Sequence, residues 1–372
     1  MSTLVQKTVE DICAALPAWT PFEEFANRSV FIGAIGFEDR STSVFSDWAA
    51  KNPGGDCVLI SYPTNQSENK LNHNTFCQLS SRNCIRPREL TYNRRTFLTD
   101  AVAQLAKIEE GKPIVLDISS MASFVLYPIL EGLFTSRNEH FVTIVYTEAA
   151  VYYPDKNEWD RFWDSIEDRD LVQRAELLDR TYFQSKGEDE VFEHPSFIGT
   201  NPDSLPGMLV MVPNFAFHRT FHMVEHVCNQ FSISKSQIHW ILGRPPDKQA
   251  NGWRRNAIYK LIGKPSNTLD SDTLDYKDII INLHGLWERS FGSRSVYIGT
   301  LGSKAQHLGT FFFLKMHPEI SLTLSEPSEF VANRFSTGIG RRWYAEFGSN
   351  TALGTELARW NRLEFAWDEP SE

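Results

Sequence analysis

The sequence is short of cysteine, of long apolar runs and of positive charge, and each shortage argues against a class of protein. Its 372 residues include five cysteines, none in a CxxC pair, which supports neither a disulfide framework nor a cysteine zinc site. No stretch of about 18 consecutive apolar residues is present, so no transmembrane helix is predicted. Lys and Arg total 37 against 47 Asp and Glu, a formal net charge of −10, which disfavours binding to duplex DNA or anionic membranes.

Several signatures of metal sites and catalysis are missing as well. The sequence has no GxSxG elbow, no Walker A loop and no HExxH motif. His218, His222 and His226 recur every four residues, but no complete ligand set is predicted around them. We therefore predict no metal and no cofactor. The N-terminal segment lacks the apolar run of a signal peptide, and the odd, scattered cysteines fit reduced thiols, so we predict a cytoplasmic location.

The sequence is rich in the residues that build a core, with 41% hydrophobic and 13% aromatic. Eight short apolar runs alternate with helix-like stretches, four runs in each half. They are nearly continuous rather than alternating with polar residues, which predicts buried strands of parallel sheets and an α/β fold. The predicted strands are Val30–Ile35, Cys57–Ser61, Ile114–Ile118, Phe141–Tyr146, Met208–Val212, Ile238–Leu242, Val296–Ile298 and Ile320–Leu324.

The second half repeats the order of the first, and single residues recur with it. Arg40 follows the first predicted strand, and Arg219 follows the fifth, 179 positions later. Thr147 closes the fourth strand, and Ser325 closes the eighth, 178 positions later. These near-constant offsets predict two tandem Rossmann-like domains, related by internal duplication and built on mainly parallel sheets.

The domain boundaries follow from this repeat. The first domain is predicted over residues 1–156, and the second, with a C-terminal extension, over residues 207–372. Residues 157–206 are predicted to form an acidic helix, Asn157–Leu178, followed by a polar linker. The basic, aromatic segment Asn333–Tyr344 is predicted to be a lid over a ligand cleft, a partner surface or an ordinary docking segment.

The loop Gly299–Lys304 is the most distinctive candidate for a ligand site. In open α/β sheets, ligands bind beyond the carboxyl ends of the strands, where helix N-termini favour anions. Thr300, Gly302 and Ser303 are small, so backbone N–H groups can approach an anion, and Lys304 adds a positive charge. We predict these four residues as ligand contacts. The alternative is a glycine-rich helix start that only packs closely.

This loop and the repeated halves resemble the CARF and SAVED families, bacterial sensors of cyclic or linear oligonucleotide signals. Many members carry a Gly/Thr-rich loop that ends in Lys at this position, and SAVED proteins fuse two such halves in one chain. The present loop departs from their commonest run, similar to T-G-G-T-K, in having Leu301, Gly302 and Ser303 before Lys304. The resemblance implies binding of a nucleotide or oligonucleotide second messenger and a role in antiviral defence.

Further ligand contacts are predicted at other strand ends. Arg40 and Arg219 precede predicted helix starts, where a guanidinium group can hold a phosphate, or each pairs with a surface carboxylate instead. Ser119 lies in the matching first-half loop, where its hydroxyl either binds a ligand or caps the next helix. Arg244 and Trp253 belong to a basic, polar segment that either stacks and holds a nucleotide or forms a solvated loop.

Three functions remain open at this point. The first is a sensor that binds a small nucleotide-type ligand between the halves and acts through a separate effector protein or a homo-oligomer. The second is a nucleotide-processing enzyme, such as a phosphodiesterase, a nucleoside hydrolase or an NAD-consuming enzyme. Its candidate catalytic groups are Asp117, Glu148 and Glu326, which lie at predicted strand ends. The third is a structural subunit without a ligand.

Overall fold

The computed structural model describes residues 8–181, 184–200 and 205–364. Parts of the predicted domains and linker, namely residues 1–7, 182–183, 201–204 and 365–372, lie outside the described residues. The strands are β1 Thr20–Pro21, β2 Val30–Ile35, β3 Asp56–Ser61, β4 Arg86–Thr91, β5 Pro113–Asp117, β6 Phe141–Thr147, β7 Val151–Tyr152, β8 Ser185–Glu193, β9 Gly207–Val212, β10 Ile238–Arg244, β11 Thr268–Asp272, β12 Ser295–Thr300, β13 Ser321–Phe330, β14 Ser336–Thr337 and β15 Arg342–Ser349.

Helices alternate with most of these strands, which confirms the predicted α/β class. They are α1 Val9–Ala15, α2 Ser43–Lys51, α3 Gln66–Arg82, α4 Phe97–Leu105, α5 Ser123–Phe134, α6 Lys156–Ile166, α7 Leu171–Thr181, α8 Phe217–Gln230, α9 Lys248–Asn251, α10 Trp253–Leu261, α11 Tyr276–Ser290, α12 Lys304–Met316 and α13 Asn350–Glu364. Within the described ranges, no helix combines the length and the apolar character needed to cross a bilayer.

The two large sheets share one strand order over six strands, and the first has β1 as an additional edge strand. The first runs β1-β15-β6-β5-β2-β3-β4, and the second, taken in the same direction, runs β8-β13-β12-β9-β10-β11. In each half the five parallel strands follow the Rossmann order 3-2-1-4-5, with an antiparallel strand beside the fifth. The repeat predicted from the sequence is therefore matched by the strand order. That the two halves arose by internal duplication stays a prediction.

The antiparallel strands are exchanged between the halves. β8 follows the first half in the chain but pairs with β13 of the second sheet, whereas β15 follows the second half and pairs with β6 of the first. Each sheet thus contains a strand that the linear order would assign to the other half or to the linker. This exchange ties the two halves together by main-chain hydrogen bonds.

The central strands read clearly from the sequence because both of their faces are covered. Every residue of β2, β9 and β12 is buried, and such strands have no polar alternation. The edge strands β4 and β11 carry charged and half-buried residues, so their segments show no apolar run. Sequence patterning therefore missed them.

Residues 157–206, predicted as a helix and linker, are more structured than that. The acidic helix is divided into α6 and α7 around residues 167–170, and β8 occupies part of the predicted linker. Asp155 caps α6 by a reciprocal capping box with Glu158. The buried side chains Trp159 and Trp163 of α6 pack into the outer core of the second half. The sequence did not predict these elements because α6 is apolar on one face only and β8 is a charged strand at a sheet edge. Neither has the continuous apolar run of a buried element.

A single core joins the halves. One continuous cluster of buried residues includes side chains of both sheets and of the helices between them, among them Leu130 of α5, Leu283 of α11 and Phe312 of α12. Phe134 of α5 contacts Phe311 and Phe312 of α12 across the join, with ring centroids 5.9 and 5.6 Å apart. Two smaller clusters cover the outer faces of the sheets. The halves are thereby fixed with the carboxyl ends of their strands toward a shared cleft.

Candidate functional site

The cleft lies at the switch point of both sheets. In a doubly wound sheet, ligands bind where neighbouring strands connect to opposite sides, which here is between β2 and β5 and between β9 and β12. The loops that follow these strands line the cleft, at residues 36–38, 120–123, 213–215 and 301–304. The sheet topology therefore brings the predicted Lys304 loop opposite the first-half loops.

The cleft comprises two cavities. The first-half cavity, of about 140 Å³, lies mainly against loops of the first sheet, and the second-half cavity, of about 300 Å³, lies mainly against loops of the second. The residues that line both cavities are Glu38, Asn214, Gly302, Lys304 and Phe335. Because these side chains border both spaces, a ligand that spans the cleft passes Lys304.

The Lys304 loop is built as a capped helix start. Ser303 accepts a hydrogen bond from the Gln306 N–H at 3.1 Å and donates its hydroxyl proton to the Thr273 carbonyl at 2.6 Å, while Gln306 Oε1 accepts from the Ser303 N–H. Gly302 is required by space, since a Cβ there would lie 2.9 Å from Val212 Cγ1. Ser303 is thus used as a cap, and Lys304 is held at the first residue of α12.

Lys304 lies in a cationic environment. Among the described residues, no carboxylate makes an ion pair with its Nζ. Burial, with Arg40 and Arg219 nearby, lowers the pKa of Lys304 from 10.5 to about 8, while Glu38 acts in the opposite direction. The ammonium is therefore poorly compensated in the unliganded protein, which is the condition that an anionic ligand would relieve.

Arg40 and Arg219 hold matching positions beside Lys304. Arg40 donates to the Thr147 carbonyl at 2.9 Å and to Glu38 Oε1 at 2.9 Å. Arg219 donates through Nε to Ser325 Oγ at 3.1 Å and through Nη2 to the Ser325 carbonyl. Each arginine thus anchors the fifth parallel strand of its half, β6 for Arg40 and β13 for Arg219. Both are about 95% buried, and burial lowers the pKa of Arg219 to about 10.

Glu38 is the carboxylate at the centre of this group. It accepts from Arg40 and from the hydroxyl of Ser336. Ser336 belongs to β14, which pairs with β7 in a two-stranded ribbon at the cleft. The segment Asn333–Tyr344, predicted as a lid or partner surface, therefore contributes Ser336 and Phe335 to the lining and then enters the first sheet as β15.

Ser119 and Asp117 form a buried network outside the cleft lining. Asp117 accepts from the Ser119 N–H at 3.0 Å and from its hydroxyl, and Ser119 Oγ accepts from the Thr147 N–H at 2.8 Å. Burial, opposed by these hydrogen bonds, raises the pKa of Asp117 to about 6. The pair joins β5 to β6, and the neighbouring Ser120 and Ser123 line the first-half cavity instead.

Three more predicted ligand residues also lie outside the lining. Thr300 is buried at the end of β12, where its hydroxyl accepts from the Gly302 N–H at 3.5 Å. Arg244 lies 3.7 Å from Asp278 in an ion pair. The Trp253 ring stacks on Trp159 at 6.2 Å, so its place is in the outer core. The basic, polar segment that contains Arg244 and Trp253 lines the second-half cavity through Asn251 and Arg254 instead.

The three candidate catalytic carboxylates are dispersed. Glu148 lines the second-half cavity and accepts from the Trp343 indole at 2.9 Å. Glu326 accepts from the Tyr92 hydroxyl at 2.8 Å, and burial raises its pKa. Neither Glu326 nor Asp117 borders the cavities. The structure therefore brings no pair of these groups together in the cleft.

Sequence reasoning missed His307, and it gave Asn65 and Asn69 only as members of a polar segment that either contributes contacts or forms a solvated loop. His307 lies one helical turn after Lys304; burial, and then Lys304 and Arg219, hold its pKa well below the usual range. Asn65, the residue before α3, is in the left-handed conformation and makes two hydrogen bonds with the main chain of Phe330. Asn69 follows one turn later. Only the Asn-rich start of α3 gave a signal, and it is a weak one.

The histidine stripe lies on α8 away from these residues. His218 Nε2 is 3.8 Å from Asp189 Oδ2, and the rings of His218 and His222 are 6.2 Å apart. In the part of the chain that the structure describes, no group of three His, Cys, Asp or Glu side chains is placed to hold a metal ion. The absence of a metal stays a prediction.

Comparisons with known proteins give low similarity. No family model matches the sequence, and no curated protein matches it. Among solved structures, the chain is similar to a type III CRISPR defence DNA nuclease activated by cyclic oligoadenylate, with 11% identity and a TM-score of 0.43; the match covers 77% of this chain and 64% of the nuclease. It therefore spans less than two thirds of that protein.

A second similar structure is a putative universal stress protein from Pseudomonas aeruginosa UCBPP-PA14. The identity is 7% and the TM-score 0.24, over 90% of this chain and 98% of the other. Both similarities are too low to carry function, so the proposals below rest on this chain's own residues.

Proposed function

We propose that the protein binds a phosphorylated nucleotide or oligonucleotide signal in the cleft between its two α/β halves. One observation supports this most directly: Arg40 and Arg219 both lie close enough to Lys304 to lower its pKa, and Glu38, which already pairs with Arg40, is the one carboxylate that opposes them there. The chain as a whole has a net charge of −10, so this local excess of positive charge is not a consequence of composition. Phosphate is the biological anion that such groups hold best.

The shape of the cleft supports a ligand larger than inorganic phosphate. The second-half cavity alone, at about 300 Å³, falls at the lower end of the range for small-molecule sites. Phe37, Phe124 and Phe335 give the first-half cavity apolar walls, which suit a nucleobase. A base beside the phosphate-binding centre is the simplest occupant with both properties.

The sensor is favoured over the nucleotide-processing enzyme because the candidate acids and bases are not assembled at the cleft. Asp117 is engaged by Ser119, and Glu326 by Tyr92. In this proposal the output passes to a separate effector protein or through a homo-oligomer. The CARF and SAVED resemblance read from the Lys304 loop adds a role in bacterial antiviral defence to the proposal.

A ligand panel tests the function. Mononucleotides, linear oligonucleotides and cyclic oligonucleotides are incubated with the protein, and thermal shift and product formation are measured on the same samples. We expect stabilisation without turnover. In the Lys304→Met variant, affinity for the ligand should fall at least tenfold, since a charge-assisted contact contributes roughly 1.5–3 kcal/mol.

The matched control is Lys235→Met, because Lys235 is exposed in the turn before β10, at the opposite end of the second sheet. It should bind as the wild type does. Turnover of a panel member would favour the enzyme. If Lys304→Met binds the ligand as tightly as the wild type does, Lys304 is not part of the binding site.

A further inference from the structure

The five cysteines lie in two kinds of surroundings. Cys13 and Cys57 are buried, and burial raises the pKa of Cys13 to about 11 and that of Cys57 to about 12. Burial also raises the pKa of Cys228, which is half-buried. Cys77 and Cys84, by contrast, are exposed. Because the thiolate is the nucleophile and burial disfavours it, the two exposed thiols are the ones open to a reagent in solution.

Cys77 faces an imidazole, which in turn faces a carboxylate. Cys77 lies one turn after His73 on α3, and its Sγ is 3.7 Å from His73 Nδ1. The other ring nitrogen, Nε2, is 3.6 Å from Glu89 Oε1 on the edge strand β4. A carboxylate beside Nε2 favours the tautomer with its proton on Nε2, so that Nδ1 can accept the thiol proton. The three groups thus stand in the order of nucleophile, base and orienting carboxylate.

The second half has the same three contacts with different groups. Arg255 on α10 lies with its Nε 2.8 Å from Asp270 Oδ1 on the edge strand β11. Its guanidinium group lies over the ring of Tyr259, four positions later, at 5.0 Å. The fold therefore brings a helix residue, the residue one turn later and an edge-strand carboxylate together in both halves. Arginine cannot accept a proton at neutral pH, so the first-half version is the one with a base beside a nucleophile.

This group is open to solvent and separate from the cleft. The side chains of His73 and Glu89 are 43% and 48% exposed, and Cys77 borders neither cleft cavity. A reagent as large as a disulfide can therefore reach the Cys77 sulfur without entering a pocket. Exchange with a disulfide needs access to the sulfur and a means to remove its proton, and both are present.

We propose that Cys77 is a modification site that forms a mixed disulfide with a low-molecular-weight disulfide, with His73 as its general base and Glu89 as a positioning residue. His73 Nδ1 takes the thiol proton, and Cys77 Sγ forms a bond to one sulfur of the reagent while the reagent's own S–S bond breaks. The leaving thiolate takes the proton back from Nδ1 and departs as a thiol. Cys77 is thereby oxidised and the reagent reduced. The proposal goes beyond the proposed nucleotide binding and does not depend on it.

The test measures the rate of modification at each cysteine. The reduced full chain is incubated with glutathione disulfide, and the mixed disulfide at Cys77 and at Cys84 is quantified by mass spectrometry of the digested protein. Cys84 is the internal control, since it is exposed, lies seven positions later and has no side-chain partner in the described part of the chain. At pH 7 we expect Cys77 to react about tenfold faster or more, because a positioned base accelerates proton transfer by at least that factor. In concentrated urea the two rates should become equal.

Variants separate proton transfer from access. His73→Gln should lower the Cys77 rate to that of Cys84 at pH 7 and leave Cys84 unchanged. The loss should disappear at about pH 9.5, where an exposed thiol ionises without a base. Glu89→Gln should lower the Cys77 rate by a smaller factor, whereas Glu89→Asp, which keeps the carboxylate, should retain most of it. His222→Gln removes a histidine of α8 in the other half, and it should leave both rates as in the wild type.

The remaining outcomes overturn the proposal. Equal rates for Cys77 and Cys84 in the folded wild type show that the imidazole does not activate the thiol. A fast Cys77 rate that survives in His73→Gln, or a loss that persists at pH 9.5, shows that His73 is not the base. If His73→Gln also changes the Cys84 rate, its fold is altered and Glu89→Gln decides, since an unchanged ratio of the two rates in that variant refutes the arrangement.

Discussion

Replacement of Lys304 by methionine should stabilise the unliganded protein. Burial, with Arg40 and Arg219, lowers the pKa of Lys304 from 10.5 to about 8, in spite of Glu38. A shift of that size makes the ammonium about 3 kcal/mol less favourable in the folded than in the unfolded protein at neutral pH. Methionine has a similar length and no charge, so we expect the variant to be more stable by about 1–3 kcal/mol at pH 7.

The pH dependence gives this prediction a second signature. Between pH 8 and pH 10.5 the unfolded chain holds the Lys304 proton and the folded protein has released it, so wild-type stability rises with pH in this window. The variant lacks that contribution. Its advantage over the wild type should therefore be complete below pH 8 and should vanish by about pH 10.5.

Urea unfolding of the wild type, Lys304→Met and Lys235→Met at pH 7, 8.5 and 10 measures these differences. The Lys235 variant reports on the loss of an exposed lysine and should show no pH-dependent advantage. An unchanged or lowered free energy of unfolding for Lys304→Met at pH 7 would refute the account of a poorly compensated ammonium in the cleft.

Two further predictions concern the core. Burial lowers the pKa of His194 to about 4, so the free energy of unfolding of the wild type should fall as pH decreases from 6.5 toward 4. In this window His194→Gln should lose about 1.4 kcal/mol less of its free energy of unfolding per pH unit than the wild type does. If chemical unfolding gives the two proteins the same pH dependence, this prediction is wrong. A Cβ at Gly309 would overlap the Tyr276 carbonyl and Ile279 where α12 meets α11, so Gly309→Ala should cost about 1–3 kcal/mol. Gly285→Ala, whose nearest neighbour is Arg289 at 3.7 Å, should be neutral or stabilising, and equal melting temperatures for the two variants would contradict the packing account.

The buried strands were predictable because their signal is local. β2 matches its predicted bounds, Val30–Ile35, because both faces of a central parallel strand are apolar. The repeat was predictable for the same reason, since strand order recurs with the apolar runs. The edge strands β4 and β11 and the exchanged strands β8 and β15 carry no such pattern. Their place depends on main-chain pairing with strands far away in the chain.

The candidate site, like the fold, was predictable only where its signal is local in the sequence. A small-residue loop that ends in Lys304 at the end of a predicted strand was recognisable, because helix starts after parallel strands share local chemistry. The recurrence of Arg40 with Thr147, and of Arg219 with Ser325, was also visible. That each arginine bonds the carbonyl of its partner was decided by packing across more than 100 residues of chain.

The sequence by itself determined the α/β class, the repeated strand order and the position of Lys304 at a strand end, because each is encoded in residues close together in the chain. Only the tertiary structure decided that Ser119, Thr300 and Trp253 are used in packing, whereas Asn69 and His307 line the cleft. A serine, an asparagine or a tryptophan has the same local chemistry in a core and in a site. Which role it has depends on whether its polar atoms are satisfied by distant segments, and that is settled when the two halves pack together.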